Sequence, residues 1–327
     1  MDLVRWGILS TGGIARQFAR GLAYAPGAQL VAVGSRSQAN AEAFGDEFGV
    51  PRRYASYEAL AADPDLDVIY IGTPHPFHAA NSLLCIEAGK AVLCEKPFTL
   101  NARQASAVIR AARERGVFLM EALWTRFTPV MHKVRALLAE GAIGRPRMVT
   151  ADFGFHAPFD PESRLFNRAL GGGALLDVGV YPVSLASMVF GAPPRISTMA
   201  HLGATGVDEQ AAMIFGYEDG ALAVLSCAIS VMTPMEATIT GERGMIRLPA
   251  NWWMPQECIL SLEGEPEQTF ELPFTGNGYN YEALEVMRCL REGLLESPIM
   301  PLDETLALMQ TLDNIRSQWG LRYPEEE

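Results

Sequence analysis

The sequence predicts an α/β protein: a doubly wound parallel-sheet domain, then a C-terminal α+β domain whose open sheet is mostly antiparallel. Three observations carry that expectation. The leading third alternates short apolar runs with stretches of helical spacing, the signature of right-handed crossovers onto a parallel sheet covered on both faces. The later part shows longer strand-like runs divided by turn signals at Glu218-Asp219-Gly220 and Gly241-Glu242-Arg243-Gly244, as in antiparallel meanders. A chain of 327 residues also exceeds what one core usually serves, so two domains are expected, over 1–122 and 123–327.

Taken in order, Val4–Leu9 reads as a strand, Ile14–Tyr24 as a helix, Leu30–Val33 as a strand and Gln38–Phe48 as a helix. Val68–Ile71, Ala91–Cys94 and Phe118–Met120 repeat the strand pattern, with helices expected over Phe77–Ala88 and Asn101–Arg115 between them. Beyond residue 122 a helix is expected over Pro129–Glu140, then strands over Arg147–Phe155, Gln210–Tyr217, Ala221–Ile229 and Glu236–Thr240. An amphipathic helix over Leu302–Trp319 closes the chain. One face of the second sheet is expected to be covered by helix and the other left for a partner.

Composition narrows the function classes. With 49% apolar and 20% charged residues the chain has an ordinary globular profile, and its net charge of −12 lacks the dense Lys/Arg block that nucleic acid or an anionic membrane requires. Any phosphate must be met by a local pocket. Five cysteines, an odd number with no paired-ligand spacing, and no charged-then-apolar leader point to free thiols in the cytoplasm; no metal site and no membrane span are expected.

After the first strand comes "LSTGGIA". A dinucleotide-binding turn needs a middle glycine so that backbone approaches the pyrophosphate, and a last small residue for helix packing; Gly12 and Ala15 occupy those positions. Ser10 stands where the first glycine belongs, which a residue with a β-carbon is expected to tolerate only at negative φ. A strand-to-helix corner also needs glycine for its own reasons, so the turn alone admits either reading. The end of the second strand, "VGSRS", adds weight. It lacks the acid that receives a ribose 2′-hydroxyl, and offers the Arg36 guanidinium with Ser35 or Ser37 to a 2′-phosphate; NADP(H) is the cofactor expected. A solvated loop arginine would look the same.

Only three of 26 basic residues are lysines: Lys90, Lys96 and Lys133. Lys96, in "VLCEKPF", follows a strand at the edge where open α/β sheets bind ligands, and a compact ammonium can tune a neighbouring oxygen. A Glu95–Lys96 surface pair before a proline turn is the plain alternative. In "GGGALLDVGVYP", Asp177 and Tyr181 are four apart and share a face if helical, or Asp177 caps a helix starting near Val178, the latter easing the conflict with Pro182. A capping Asp and a core Tyr would fit equally. His75 and His78 in "TPHPFH" lack further metal ligands and suit a cofactor-lining loop; Trp124, Arg126 and Phe127 cluster where the two domains join, and Trp252 and Trp253 suit core or subunit contact.

Together, "GILSTGGIA", "CEKPF", "MEALWTRFTP" and "GGALLDVGVYP" resemble the Gfo/Idh/MocA oxidoreductase family, in its branch of dimeric dihydrodiol and NADP-dependent D-xylose dehydrogenases. The resemblance covers almost the whole chain, and that branch accepts serine at the first glycine position. It implies a Rossmann domain followed by an α/β domain whose open sheet forms a homodimer. It also implies Lys96 and Tyr181 as the catalytic pair assisted by Asp177, with Trp124, Arg126 and Phe155 lining the substrate site and a cis Lys96–Pro97 bond. The cofactor set expected on this basis is Ser10, Gly12, Gly13, Ile14, Ala15, Ser35, Arg36, Thr73, His75, His78, Glu95 and Lys96. The implied chemistry is reversible hydride transfer between NADP(H) and a sugar or cyclic secondary alcohol, such as D-xylose or a trans-dihydrodiol. An NAD-dependent polyol dehydrogenase would favour histidine at position 181 and an acid near 36; a non-catalytic NADP-sensing regulator would not need Lys96, Asp177 and Tyr181.

Overall fold

The computed structural model describes residues 3–326. In the first part β1 (Val4–Leu9), α1 (Gly13–Leu22), β2 (Ala28–Gly34), α2 (Gln38–Phe48), β3 (Arg52–Tyr54), α3 (Tyr57–Ala61), β4 (Val68–Ile71), α4 (His78–Glu87), β5 (Ala91–Glu95), α5 (Ala102–Arg115) and β6 (Leu119–Ala122) follow one another. All these strands pair in parallel, in the order β3-β2-β1-β4-β5-β6, so the order of strand addition reverses between β1 and β4. β4 and β5 are buried at every position, because helices cover both faces and no side chain can point to water.

The second part holds α6 (Pro129–Ala139), β7 (Pro146–Gly154), a π-turn over Leu175–Gly179, α7 (Val180–Phe190) and the strands β8 (Arg195–Leu202), β9 (Asp208–Gly216), β10 (Leu222–Ala228), β11 (Ala237–Gly241), β12 (Gly244–Leu248), β13 (Glu257–Leu262) and β14 (Gln268–Glu271). These strands form one sheet ordered β14-β13-β12-β11-β7-β10-β9-β8, antiparallel except for β7 against β10. Val149, Met213, Phe215, Leu225 and Ile239 point inward, whereas Met148, Met199, Ile214, Leu222 and Val224 alternate with such positions and lie exposed. Helices α8 (Tyr279–Arg291) and α9 (Leu302–Trp319) come next, and a short 3-10 turn over Pro324–Glu326 follows them.

Two compact units result: Met1–Phe127 with Thr275–Leu306, and Thr128–Phe274 with Ala307–Glu327. This differs from a single cut at 122/123. The returning segment belongs to the first unit because α8 packs on α1, where Gly21 leaves no room for a β-carbon beside Asn277 and Tyr279. The segment Arg168–Phe190 is long and apolar enough to cross a membrane by composition, with a mean hydropathy of 1.5, but 78% of that window is buried within the protein. It is core.

Candidate active site

In the first unit the turn after β1 leaves Gly12 and Gly13 exposed. A β-carbon on Gly12 would meet nothing nearer than the Ser10 hydroxyl at 3.6 Å, and one on Gly13 nothing within 4 Å; neither has positive φ. The protein's own packing therefore does not demand glycine here, and the open space suits a group that backbone must approach closely, as a pyrophosphate requires. Ala15 is fully buried and Ile14 half-buried, as helix-to-sheet packing needs.

Ser10 corrects the expectation of negative φ: its φ is +107°. The ladder carries on one residue past β1, with Ser10 N–H donating to the Gly34 carbonyl at 2.9 Å, while its Oγ accepts from Gly12 N–H at 3.3 Å. These bonds hold a conformation that costs a non-glycine residue about 1–3 kcal/mol. Ser10→Gly is thus expected to raise stability by about 1 kcal/mol, read as a higher thermal midpoint, and Ser10→Ala, which keeps the strain but loses the hydroxyl contact, to lower it.

At the end of β2, Arg36 is exposed, its guanidinium 5.8 Å from the Phe77 ring centre. Burial raises the Tyr57 phenol and the Arg36 charge pulls it back. Ser37 caps α2 by accepting from Asn40 N–H, and Ser35 Oγ accepts from Ser37 N–H, so both serines are engaged with backbone. Thr73 is buried with its hydroxyl accepting from Asn81 at 3.1 Å, and His75 sits in a 3-10 turn, edge-on to His78 at 5.8 Å.

Lys96 is the single residue of 91–100 that is not buried. Of the other lysines, Lys90 is buried and donates to the Leu66 carbonyl at 3.1 Å, while Lys133 lies 4.3 Å over the Phe270 ring. The Lys96–Pro97 bond is cis, as the resemblance implies. Two residues expected at the cofactor, Glu95 and His78, are buried. Glu95, 3% exposed, accepts from the Tyr70 hydroxyl at 2.6 Å and from Lys96 N–H at 3.0 Å; His78, fully buried, faces backbone carbonyls with both ring nitrogens. Through these bonds both side chains brace the loops that follow β4 and β5.

Trp124 is stacked on Tyr279 with ring centres 4.9 Å apart, and Gly278, at φ +93°, lets the backbone pass against the indole. Arg126, expected at the substrate site, has its guanidinium 3% exposed and 2.6 Å from Glu304.

In the second unit the π-turn answers the Pro182 conflict in a way neither sequence alternative foresaw. Asp177 lies inside the turn, which runs without a break into α7, Val180 N–H donating to the Leu175 carbonyl five residues back, so Pro182 follows directly on a widened turn within one continuous helical run. Gly179 lets this turn sit on β10: a β-carbon there would lie 2.8 Å from Cys227 Sγ. Before the turn, a β-carbon on Gly172 would press on the carbonyls of Leu165, Arg164 and Asn167, and Gly173 adopts φ +119° against Asp208. Asp208, fully buried, accepts from Leu175 N–H at 2.6 Å; burial pushes its carboxyl up to about 7, against the pull of the backbone donors and Arg316. It anchors the start of the segment that carries Asp177 and Tyr181, yet its place at a strand end gave no sequence signal.

Asp177, 5% exposed, is gripped by the forked Arg164 guanidinium at 2.8 and 3.4 Å, a partner lying in a loop without periodicity and so not foreseen. Tyr181 is 7% exposed, its ring 5.4 Å from Phe153, which in turn stacks on Trp253 at 3.8 Å. Phe155, half-buried, follows directly after β7, and Trp252 is core, its indole donating to the Asp152 carbonyl at 2.7 Å. Among the described residues no cluster of three His, Cys, Asp or Glu could hold a metal.

Comparison with known proteins agrees with this geometry. An oxidoreductase family with an NAD-binding Rossmann fold matches residues 4–123, and a GFO/IDH/MocA C-terminal domain matches residues 131–247. The chain is 41% identical to trans-1,2-dihydrobenzene-1,2-diol dehydrogenase from Mus musculus over 336 residues and 40% identical to that of Homo sapiens over 339, covering 99% of each chain in both cases. Among solved structures, an aldose-aldose oxidoreductase from Caulobacter crescentus complexed with glycerol superposes with a TM-score of 0.87 at 26% identity, covering 98% of this chain and 99% of that one. KijD10, a 3-ketoreductase from Actinomadura kijaniata in complex with NADP and TDP-benzene, gives 0.84 at 25% identity, covering 97% and 98%. The chain therefore belongs to the Gfo/Idh/MocA oxidoreductase family, in the branch of the trans-1,2-dihydrobenzene-1,2-diol dehydrogenases, and is a dehydrogenase acting on CH–OH groups.

Proposed function

We propose that the protein moves hydride reversibly between NADP(H) and a sugar or cyclic secondary alcohol, a trans-dihydrodiol or an aldose such as D-xylose. The observation that carries this reading is the exposed Gly12–Gly13 turn after β1 with the exposed Arg36 after β2 and no acid between Gly34 and Ser37. Gly12, Gly13 and Arg36 would hold the cofactor, whose nicotinamide ring accepts or returns the hydride when bound. Tyr181 takes the hydroxyl proton as the carbon–hydrogen bond breaks, and gives it back in the reverse direction. An unassisted phenol, with a pKa of about 10, is too weak a base at neutral pH, so the Lys96 ammonium must act on the same oxygen and favour the phenolate. Asp177, oriented by Arg164, accepts a hydrogen bond from a second substrate hydroxyl. The aromatic faces of Trp124 and Phe155 suit a ring, whether sugar or diol.

The dihydrodiol and aldose activities named for the relatives support this substrate class, and the NADP complex of the ketoreductase supports the cofactor. Purified protein given NADP⁺ and a panel of pentoses, hexoses and trans-dihydrodiols should generate reduced cofactor, read by absorbance; silence across the panel in both directions would end the proposal. Arg36→Ala is expected to raise the KM for NADP⁺ by roughly 10- to 100-fold while leaving that for NAD⁺ nearly unchanged, since a hydrogen bond between charged groups is worth about 1.5–3 kcal/mol.

We further propose a homodimer through the open face of the second sheet, working in the cytoplasm. Met199 is 80% and Ile214 50% exposed, on adjacent strands beside Val224, an apolar face of the kind that protein contacts cover. The five cysteines are buried free thiols, in keeping with a reducing compartment. Ile214→Glu should shift the species seen by light scattering from dimer to monomer; a wild-type protein already monomeric at micromolar concentration would dismiss the interface.

A further inference from the structure

The turn carrying Lys96 is gripped at both ends of one peptide group. His78, 0% exposed, places Nδ1 2.9 Å from the Pro97 carbonyl oxygen and Nε2 2.7 Å from that of Thr73. On the other side of the same peptide, Phe98 N–H donates to Oε1 of Glu121, also 0% exposed, at 3.0 Å. The loop after β4 and the loop after β5 are thus tied through one imidazole, and the peptide following Lys96–Pro97 lies between a ring and a carboxyl group.

Carbonyl oxygens accept and do not donate, so each ring nitrogen needs its own hydrogen to satisfy its contact. A neutral ring would set a bare nitrogen lone pair against a carbonyl lone pair at hydrogen-bonding distance. We infer that His78 is a doubly protonated imidazolium paired with the Glu121 carboxylate across the Pro97–Phe98 peptide, and that this clamp is the positioning device for Lys96. The peptide's own dipole fits: its oxygen end meets the cation and its N–H end the anion.

The surroundings press in both directions. Burial drives His78 toward its neutral form, as does the nearby Lys96 charge, while its carbonyl contacts favour the cation. Burial pushes the Glu121 carboxyl up to about 7, opposed by Phe98 N–H and Arg126, with Glu304 adding to the rise. His75 stands edge-on to His78, and Glu95 lies at the end of β5 beside Lys96. The charged pair and the neutral pair differ only in where one proton sits, so burial penalises both members of the first, and the two carbonyl contacts decide in its favour.

The protonation claim stands on geometry alone; the positioning claim rests on the catalytic role proposed for Lys96. Full-length protein with NADP⁺ bound and histidine ring nitrogens isotopically labelled should show both nitrogens of His78 bearing hydrogen at neutral pH, with Glu121→Gln leaving one of them bare. His78→Gln, which identifies the signals, should lower kcat on the order of 10²-fold while the NADP Kd stays as in wild type. In Glu121→Gln the alkaline limb of the kcat–pH profile should move to lower pH, whereas a folding defect would scale the whole profile. A bare ring nitrogen in the wild type at neutral pH overturns the ion pair. Full turnover by His78→Gln beside an inactive Lys96→Met overturns the positioning role. An active Lys96→Met instead overturns the underlying reading, and the labelled spectrum still judges the clamp.

Discussion

Replacing Tyr181 by phenylalanine is expected to lower turnover by roughly 10² to 10⁴-fold with cofactor binding intact, the range lost when a positioned general acid–base is removed. The substitution deletes one oxygen and leaves the ring. That ring is 7% exposed and tilted 5.4 Å from Phe153, itself stacked on Trp253, so the aromatic packing that fixes α7 persists. The expected loss is therefore in kcat, with NADPH titration by fluorescence unchanged. Equal losses in cofactor affinity and kcat would mean that the phenol holds structure, and wild-type turnover would remove it from the chemistry.

The largest stability effect is expected at Gly173. Its φ of +119° disfavours any side chain, and an added β-carbon would press on the buried Asp208 carboxylate that accepts from Leu175 N–H. Gly173→Ala should cost about 3–5 kcal/mol, measured by denaturant unfolding, since backbone strain and a broken buried hydrogen bond act together. Asp208→Ala alone should cost about 1–3 kcal/mol by leaving that N–H unpaired. In the double variant the collision is absent, so the combined loss should be smaller than the two losses added, the non-additivity expected of touching groups. Strict additivity would mean that residues 173 and 208 act independently.

The parts of the fold legible in sequence are those where burial is one-sided or complete. β1, β4 and α2 match their expected bounds: the strands are short and mostly apolar, and α2 lies between a capping Ser37 and Gly49 in the left-handed region. Helix α8 is not among the expected elements; its buried face includes Asn280, Glu282 and Glu285, polar residues that do not read as core. Strand β8 alternates exposed with half-buried positions and buries none, so it carries little pattern. At the candidate site, residue type and spacing single out Lys96, Asp177 and Tyr181, and the resemblance supplies their expected roles; Lys96 lies directly after β5, Asp177 in the π-turn and Tyr181 in α7. Their supports were not readable. Arg164, Asp208 and Glu304 act through distances of 2.6–2.8 Å between residues 13 to 178 positions apart, and no local window holds both partners. The π-turn was equally hidden, because its extra residue per turn leaves the apolar composition of "ALLDVGV" unchanged.

The discontinuous first unit bears on how the protein is born. Tyr279, on which Trp124 rests, and Glu304, which neutralises Arg126, leave the ribosome more than a hundred residues after the strands they complete. Until then a nascent chain holds the strands without the ring that stacks on Trp124 or the carboxylate that pairs with Arg126, so a gene fragment ending at residue 127 should yield an insoluble product, and late synthesis gates the maturation of the nucleotide-binding half.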